Sequence, residues 1–237
     1  MPTLYSVTEN IMHVHKPKPV NSFREFLSEI GVIVVGIVIA VLLEQAVEAV
    51  NRSREVGEAR EALHAEIYEN AERLKLTIEQ NTCLEQQLDA YAAWARGGAK
   101  PPPYRAFPPA LKVEVWDAIK ASAVAHMPLK ERIHLSSFYG LMNNQLKGRE
   151  AQGLAHEAIV SFGELTALND DQRVLLLKAV AQAKRIAHTD SGTASRVIDY
   201  AGEYDKPKEP VVLPKILRPG VDWVCGRTAV DPYQSHH

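Results

Sequence analysis

The chain of 237 residues is 46 % hydrophobic and 24 % charged, with a net charge of −2. That length supports one or two domains with a real core, and the balanced charge removes any electrostatic reason to expect nucleic acid as a partner. Two cysteines, Cys83 and Cys225, exclude a disulfide framework and lack metal-site spacing; they leave either one bond in an oxidising compartment or two unrelated thiols.

Prolines in "HKPKPV" forbid a helix near the start, so residues 1–21 are expected as an extended tail. His13 and His15, like His236 and His237, sit in terminal arms and read as solvated side chains. Ser22, with Glu25 three residues on, forms a capping box and opens a helix. The run "EIGVIVVGIVIAVLLEQ" follows, with fourteen uncharged residues from Ile30 to Leu43. Fourteen helical residues cover about 21 Å, short of the ~30 Å hydrocarbon core of a bilayer. Extended from Phe26 to Val47, however, the segment spans about 33 Å and holds only Glu29 and Glu44 as charges, each near an end. A secretory signal fits poorly, because the leading region carries Glu9, Glu25 and Glu29 and no A-x-A site follows Leu43. A soluble core helix apolar all round would need complete enclosure by other helices. Residues 22–50 are therefore expected to be a single transmembrane helix, with lipid as its partner.

Three basic residues before the span (Lys16, Lys18, Arg24) balance three after it (Arg52, Arg54, Arg60), so the count does not decide orientation. Those nearest the span lie on the short N-terminal side, which favours a cytoplasmic N-terminus and a body that is periplasmic or outside the cell. Gly36 and Ala40 form a small-xxx-small pair that would let two spans approach closely and oligomerise. Glu29 and Glu44 read as interface markers; in a cluster of spans they could instead line an ion path.

Residues 51–202 carry helical periodicity almost throughout. Val56, Ala59, Leu63, Ile67, Ala71, Leu74, Ile78, Leu84, Leu88, Tyr91 and Ala95 recur mainly at steps of three and four, so one helix of about 110 Å is expected from Ser22 to Arg96. Gly97, Gly98 and the prolines at 101–103 and 108–109 then reverse the chain. A short helix bearing Val115, Trp116, Ile119, Ala123 and Met127 is expected to end at Pro128. A long helix follows, with the stripe Ile133, Phe138, Leu141, Met142, Leu146, Leu154, Ala158, Phe162 and Leu165. "NDDQ" caps the last helix, which "TDSGT" would interrupt. Residues 203–237 are rich in proline and read as an extended arm, apolar enough to lie in a groove. The expected class is all-α: a membrane helix continuing into a long amphipathic helix, a bundle or hairpin, and an extended arm.

The stretch "FREFLSEIGVIVVGIVIAVLLEQAVEAVNRSREVGEAREALHAEIYEN", with "VWDAIKASAVAHMP" and "LSSFYGLMNN" after it, resembles the start of uncharacterised bacterial single-span membrane proteins. The likeness covers residues 22 to 145. It implies topology and, having no assigned activity behind it, no site residues.

Glu-x-x-His occurs twice, at Glu61–His64 and Glu131–His134, and two such pairs with further glutamates build di-iron sites in ferritin-like bundles. Glu157 or Glu164 would nominally complete the set. Chance spacing among nine histidines and many glutamates is the stronger reading, so neither metal nor other cofactor is expected. No phosphate loop, H-E-x-x-H, nucleophile elbow or dinucleotide fingerprint is present. The expected function is a non-enzymatic, membrane-anchored scaffold or accessory subunit, homo-oligomeric or attached to a larger membrane complex. The alternatives are a small ion-conducting oligomer using Glu44 and a Glu/His metal-binding bundle enzyme.

Overall fold

The computed structural model describes residues 23–231. The expected N-terminal tail, the Ser22 cap and the terminal histidines lie outside the described residues. All regular structure among the described residues is helical: α1 (Phe23–Ala95), α2 (Glu114–Ile119), a 3₁₀ turn (Ala123–His126), α3 (Leu129–Gly163), α4 (Asp170–Ala201) and α5 (Leu217–Val224). The chain divides into two units, Met1–Asn51 and Arg52–His237.

In the first unit the described residues are the N-terminal part of α1. Its most apolar 18-residue window has a mean hydropathy of 2.8, and none of it is buried. It is a candidate membrane span.

The second unit is built on three long helices whose inner faces repeat in steps of three and four. On α4 the buried positions are Leu176, Val180, Ala183, Ala187, Asp190, Ala194, Val197 and Ala201. On α1 they include Leu63, Ile67, Leu74, Leu84, Leu88 and Tyr91, and on α3 Leu135, Phe138, Met142 and Ile159. Such stripes bury one face of each helix, worth about 1.5–3 kcal/mol for each large aliphatic side chain removed from water. One apolar cluster joins Leu63–Leu74 of α1 to Leu135–Met142 of α3 and Ala194–Ala201 of α4. The other joins Leu84–Ala95 of α1 to Ala155 and Ile159 of α3 and Leu176–Ala183 of α4. The pairing makes α3 run in the direction of α1 and α4 run against both.

Two glycines let α1 stop sharply. Gly97 takes φ of 100° and donates to the Trp94 carbonyl at 3.0 Å, while Gly98 donates to Ala93 O at 3.0 Å. This is the left-handed closure that satisfies the last orphan carbonyls of a helix. The chain then returns along α1 as an extended segment. The cap of α4 is reciprocal: Gln172 N donates to Asn169 Oδ1, and Asn169 N donates to Gln172 Oε1, both at 2.9 Å.

The structure corrects the sequence reading at four points. The expected break at "TDSGT" is absent, and α4 runs through it. Thr189, Thr193 and Ser195 return their hydroxyl hydrogens to the carbonyls four residues back, so they do not compete with the helix. The residues 203–237 are not wholly extended, because α5 forms within them. Pro219 lies in the first turn of α5, where no N–H is required, and Leu217, Val221 and Val224 share its inner face. The tryptophan helix ends at Ile119, and the 3₁₀ turn carries the chain on to Pro128. Ile133 and Leu154 of the α3 stripe face solvent, and Leu135, Tyr139, Ala155 and Ile159 fill the core instead.

Candidate functional site

The most distinctive chemistry of the second unit is a file of polar side chains on the buried side of α1. An extended segment has no backbone partners of its own, and buried peptide groups must find some. The returning segment finds them on α1. Gln87 Nε2 donates to Arg105 O at 3.2 Å, and Arg105 N donates to Gln87 Oε1 at 2.8 Å. Arg73 Nη1 donates to Ala110 O at 2.7 Å. Asn70 makes both bonds to Lys112, donating to its carbonyl at 2.6 Å and accepting from its N–H at 2.9 Å. Glu66 accepts from Val115 N at 2.8 Å and from Trp116 N at 3.4 Å, so a carboxylate on α1 serves the start of α2. The same carboxylate accepts the Tyr139 hydroxyl of α3 at 2.6 Å, and Tyr139 stacks on Trp116 with ring centroids 4.6 Å apart. Burial first, then the bond to Glu66, pushes the Tyr139 phenol far up from its usual range.

Between the two apolar clusters lies a polar waist. Thr77, Gln80 and Asn81 come from α1, Gln145, Arg149 and Gln152 from α3, and Asp190 from α4. Asn81 Nδ2 donates to Asp190 Oδ2 at 3.2 Å, to Ala187 O at 3.3 Å and to Ser191 Oγ at 3.0 Å. Arg149 Nη2 donates to Thr77 Oγ1 at 2.8 Å, and Gln145 Nε2 donates to Asp190 O at 3.1 Å. Burial pulls Arg149 down to about 10 against the opposing pull of Asp190, and it raises Asp190 despite Arg149 and Asn81.

A cleft of about 380 Å³ opens where α5 meets α1. Gln86, Gln87, Tyr91, Pro101–Pro103, Arg105 and Val224 line it together with Cys83 and Cys225. The two cysteines are joined as a disulfide, S–S 2.05 Å, across 142 residues of sequence. Cys225 caps α5, and Gly226 after it takes φ of 68°, with Gly226 N on Trp223 O and Arg227 N on Asp222 O. Arg105 donates to Trp223 O at 3.2 Å and lies over the Trp223 ring.

The residues singled out for metal are engaged elsewhere. Glu131 accepts both Arg60 Nε at 2.6 Å and Arg60 Nη2 at 2.9 Å, and this bond holds its carboxyl below the usual range. Glu61 pairs with Lys208 at 2.9 Å, His64 packs edge-on against Tyr204, and His134 lies 3.9 Å from Glu203. Glu131 and His64 do act on each other electrostatically, but a guanidinium occupies the carboxylate. Among the described residues no three His, Cys, Asp or Glu side chains gather where one ion could be held. Glu157 and Glu164 are exposed. On the apolar part of α1, Glu29, Gly36, Ala40 and Glu44 are all exposed, and a Cβ at Gly36 would meet nothing within 4 Å.

Sequence reading passed over Glu66, Asn70, Asn81, Arg149 and Asp190. The signal was in the period itself. Asn70, Thr77 and Asn81 occupy steps of three and four between Ile67, Leu74 and Leu84, where an apolar residue was due.

Compared with known protein families, curated proteins and solved structures, the chain finds no match.

Proposed function

We propose that the chain is a single-pass membrane protein of a bacterial inner membrane, and that its helical body serves as a non-enzymatic scaffold or accessory subunit. It works as an oligomer or attached to a larger membrane complex. The observation that carries this reading is the contrast between the two units. The body buries its own core, whereas the run from Ile30 to Leu43 leaves every aliphatic side chain exposed. Contiguous apolar surface of that extent is not kept in water, and a bilayer is the solvent that suits it. The Cys83–Cys225 bond favours an oxidising compartment for the body, hence a periplasmic one. The resemblance read in the sequence of residues 22 to 145 implies the same topology.

The scaffold role draws on Glu66, Asn70 and Arg73 of the polar file of α1, which are buried and hold backbone and neighbouring side chains rather than facing an open site. Gly36 and Ala40 supply a face on which a second span can pack closely. Purification from native membranes in mild detergent, followed by mass measurement, tests the role. A homo-oligomer or a stoichiometric larger partner is expected; a lone 26.3 kDa chain overturns it.

A further inference from the structure

We propose that the Cys83–Cys225 bond is a thiol–disulfide exchange site that latches the C-terminal arm, and that its substrate is the dithiol of a protein reductant.

Both half-cystines line the 380 Å³ cleft and neither is fully buried, so a thiolate can approach from solvent. Exposed disulfides are the labile and regulatory ones, whereas structural disulfides resist reduction. Arg105, held on Trp223, lines the same cleft and gives it positive charge. Besides the disulfide, the arm is fastened by Gln87 on Val224 O, by Arg105 on Trp223, and by the Tyr204 ring against His64 and Phe138. Residues 203–216 form no helix; the Tyr68 hydroxyl donates to Tyr204 O, and Lys208 meets Glu61 at the surface. Arg218 on α5 and Arg227 beyond its end both pair with the Glu79 carboxylate at the surface, and such pairs contribute little. The inner face of α5 is the three residues Leu217, Val221 and Val224 beside Gly220. Against these, the disulfide closes a 142-residue loop, where a cross-link restricts the open chain most.

The exchange runs in two displacements. A thiolate of the reductant attacks one sulfur of the pair, the S–S bond breaks, and its electron pair leaves on the other sulfur, which takes a proton from solvent. The second thiolate of the reductant then attacks the mixed disulfide and expels the remaining cysteine. The chain gains two S–H groups, and the reductant becomes a disulfide. Released at Cys225, α5 leaves its seat against Phe107, and the arm swings free from Glu203 onward.

The experiment uses the full chain in mild detergent without denaturant. Dithiothreitol and thioredoxin, a C-x-x-C dithiol protein, are the two reductants. Thiols are counted by alkylation and mass, and trypsin is applied before and after. Two new thiols are expected with either reductant. Cleavage at Lys208, Lys215 and Arg227 should then quicken at least about tenfold, while sites in α1 and α4 such as Lys75 and Arg185 keep their rate. The Cys83→Ser/Cys225→Ser variant should show the fast arm cleavage without any reductant. Reduction that needs denaturant overturns the proposal. So does an arm whose cleavage is unchanged once the thiols are free, or cleavage that rises equally across the body.

Discussion

The hydroxyl of Tyr139 donates to the Glu66 carboxylate at 2.6 Å, and that carboxylate also accepts from the first N–H groups of α2. One side chain thereby ties α1, α2 and α3 together. Bonds to a charged acceptor are worth about 1.5–3 kcal/mol, and a buried donor left alone loses a comparable amount. Glu66→Ala should cost about 3 kcal/mol and Tyr139→Phe about 1–2 kcal/mol in denaturant unfolding of the detergent-solubilised chain. The double variant should cost less than the two together, because the bond is lost only once. Strict additivity would mean that the two groups do not interact.

Asn70 offers a sharper case because it serves both backbone groups of Lys112. Asn70→Leu keeps the volume and removes both bonds, leaving a peptide N–H and C=O unpaired. A loss of about 2 kcal/mol is expected. An unchanged unfolding midpoint would show that the returning segment is held by its apolar contacts alone.

At the waist, the charges of Arg149 and Asp190 oppose each other's burial. Arg149→Leu should destabilise by about 3 kcal/mol, since it leaves a buried carboxylate without its counter-charge. Arg149→Leu with Asp190→Leu should recover at least about 1 kcal/mol of that loss. A double variant worse than the single would indicate that the waist is held by its other hydrogen bonds.

Burial draws His156 down to about 4, and its ring packs edge-on against Tyr104. Above its ordinary value of 6.5 the imidazole is neutral in both folded and unfolded chains. As pH falls below that value the unfolded chain binds a proton that the folded one refuses, so stability declines until about pH 4. The loss from this group amounts to about 3 kcal/mol. His156→Phe should flatten the decline between those limits; a curve that keeps its slope would assign the acid sensitivity to other groups.

Gly220 is the tightest approach of α5, since a Cβ there would lie 2.3 Å from the Phe107 ring. Gly220→Ala should cost about 2 kcal/mol by overpacking, and Phe107→Leu should relieve part of it. Equal stability of Gly220→Ala and the parent chain would place α5 farther from that ring.

Much of the fold was legible because its signals are local. The stripe from Ala59 to Ala95 and the reciprocal cap at Asn169 follow from helical spacing and from one side chain reaching a nearby N–H. Positions such as Ile133 and Leu154 were misplaced because a stripe carried over from neighbouring residues drifts from the buried face where large polar residues hold the core positions. The polar file broke the apolar period, but its partners were hidden for a different reason. Asn70 meets Lys112 and Asn81 meets Asp190 only once the chain has folded back, and no spacing in the sequence records those meetings. α5 was obscured by Pro219, which reads as a helix breaker until its place in the first turn is known.

What surrounds Ile30 to Leu43 decides the membrane anchor, and partition of the full-length chain measures it directly. A detergent-free lysate is cleared by ultracentrifugation, and the membrane pellet is washed with alkaline carbonate. The chain is expected in the pellet before and after the wash. Recovery of the folded chain in the supernatant would contradict the membrane anchor and the scaffold role built on it.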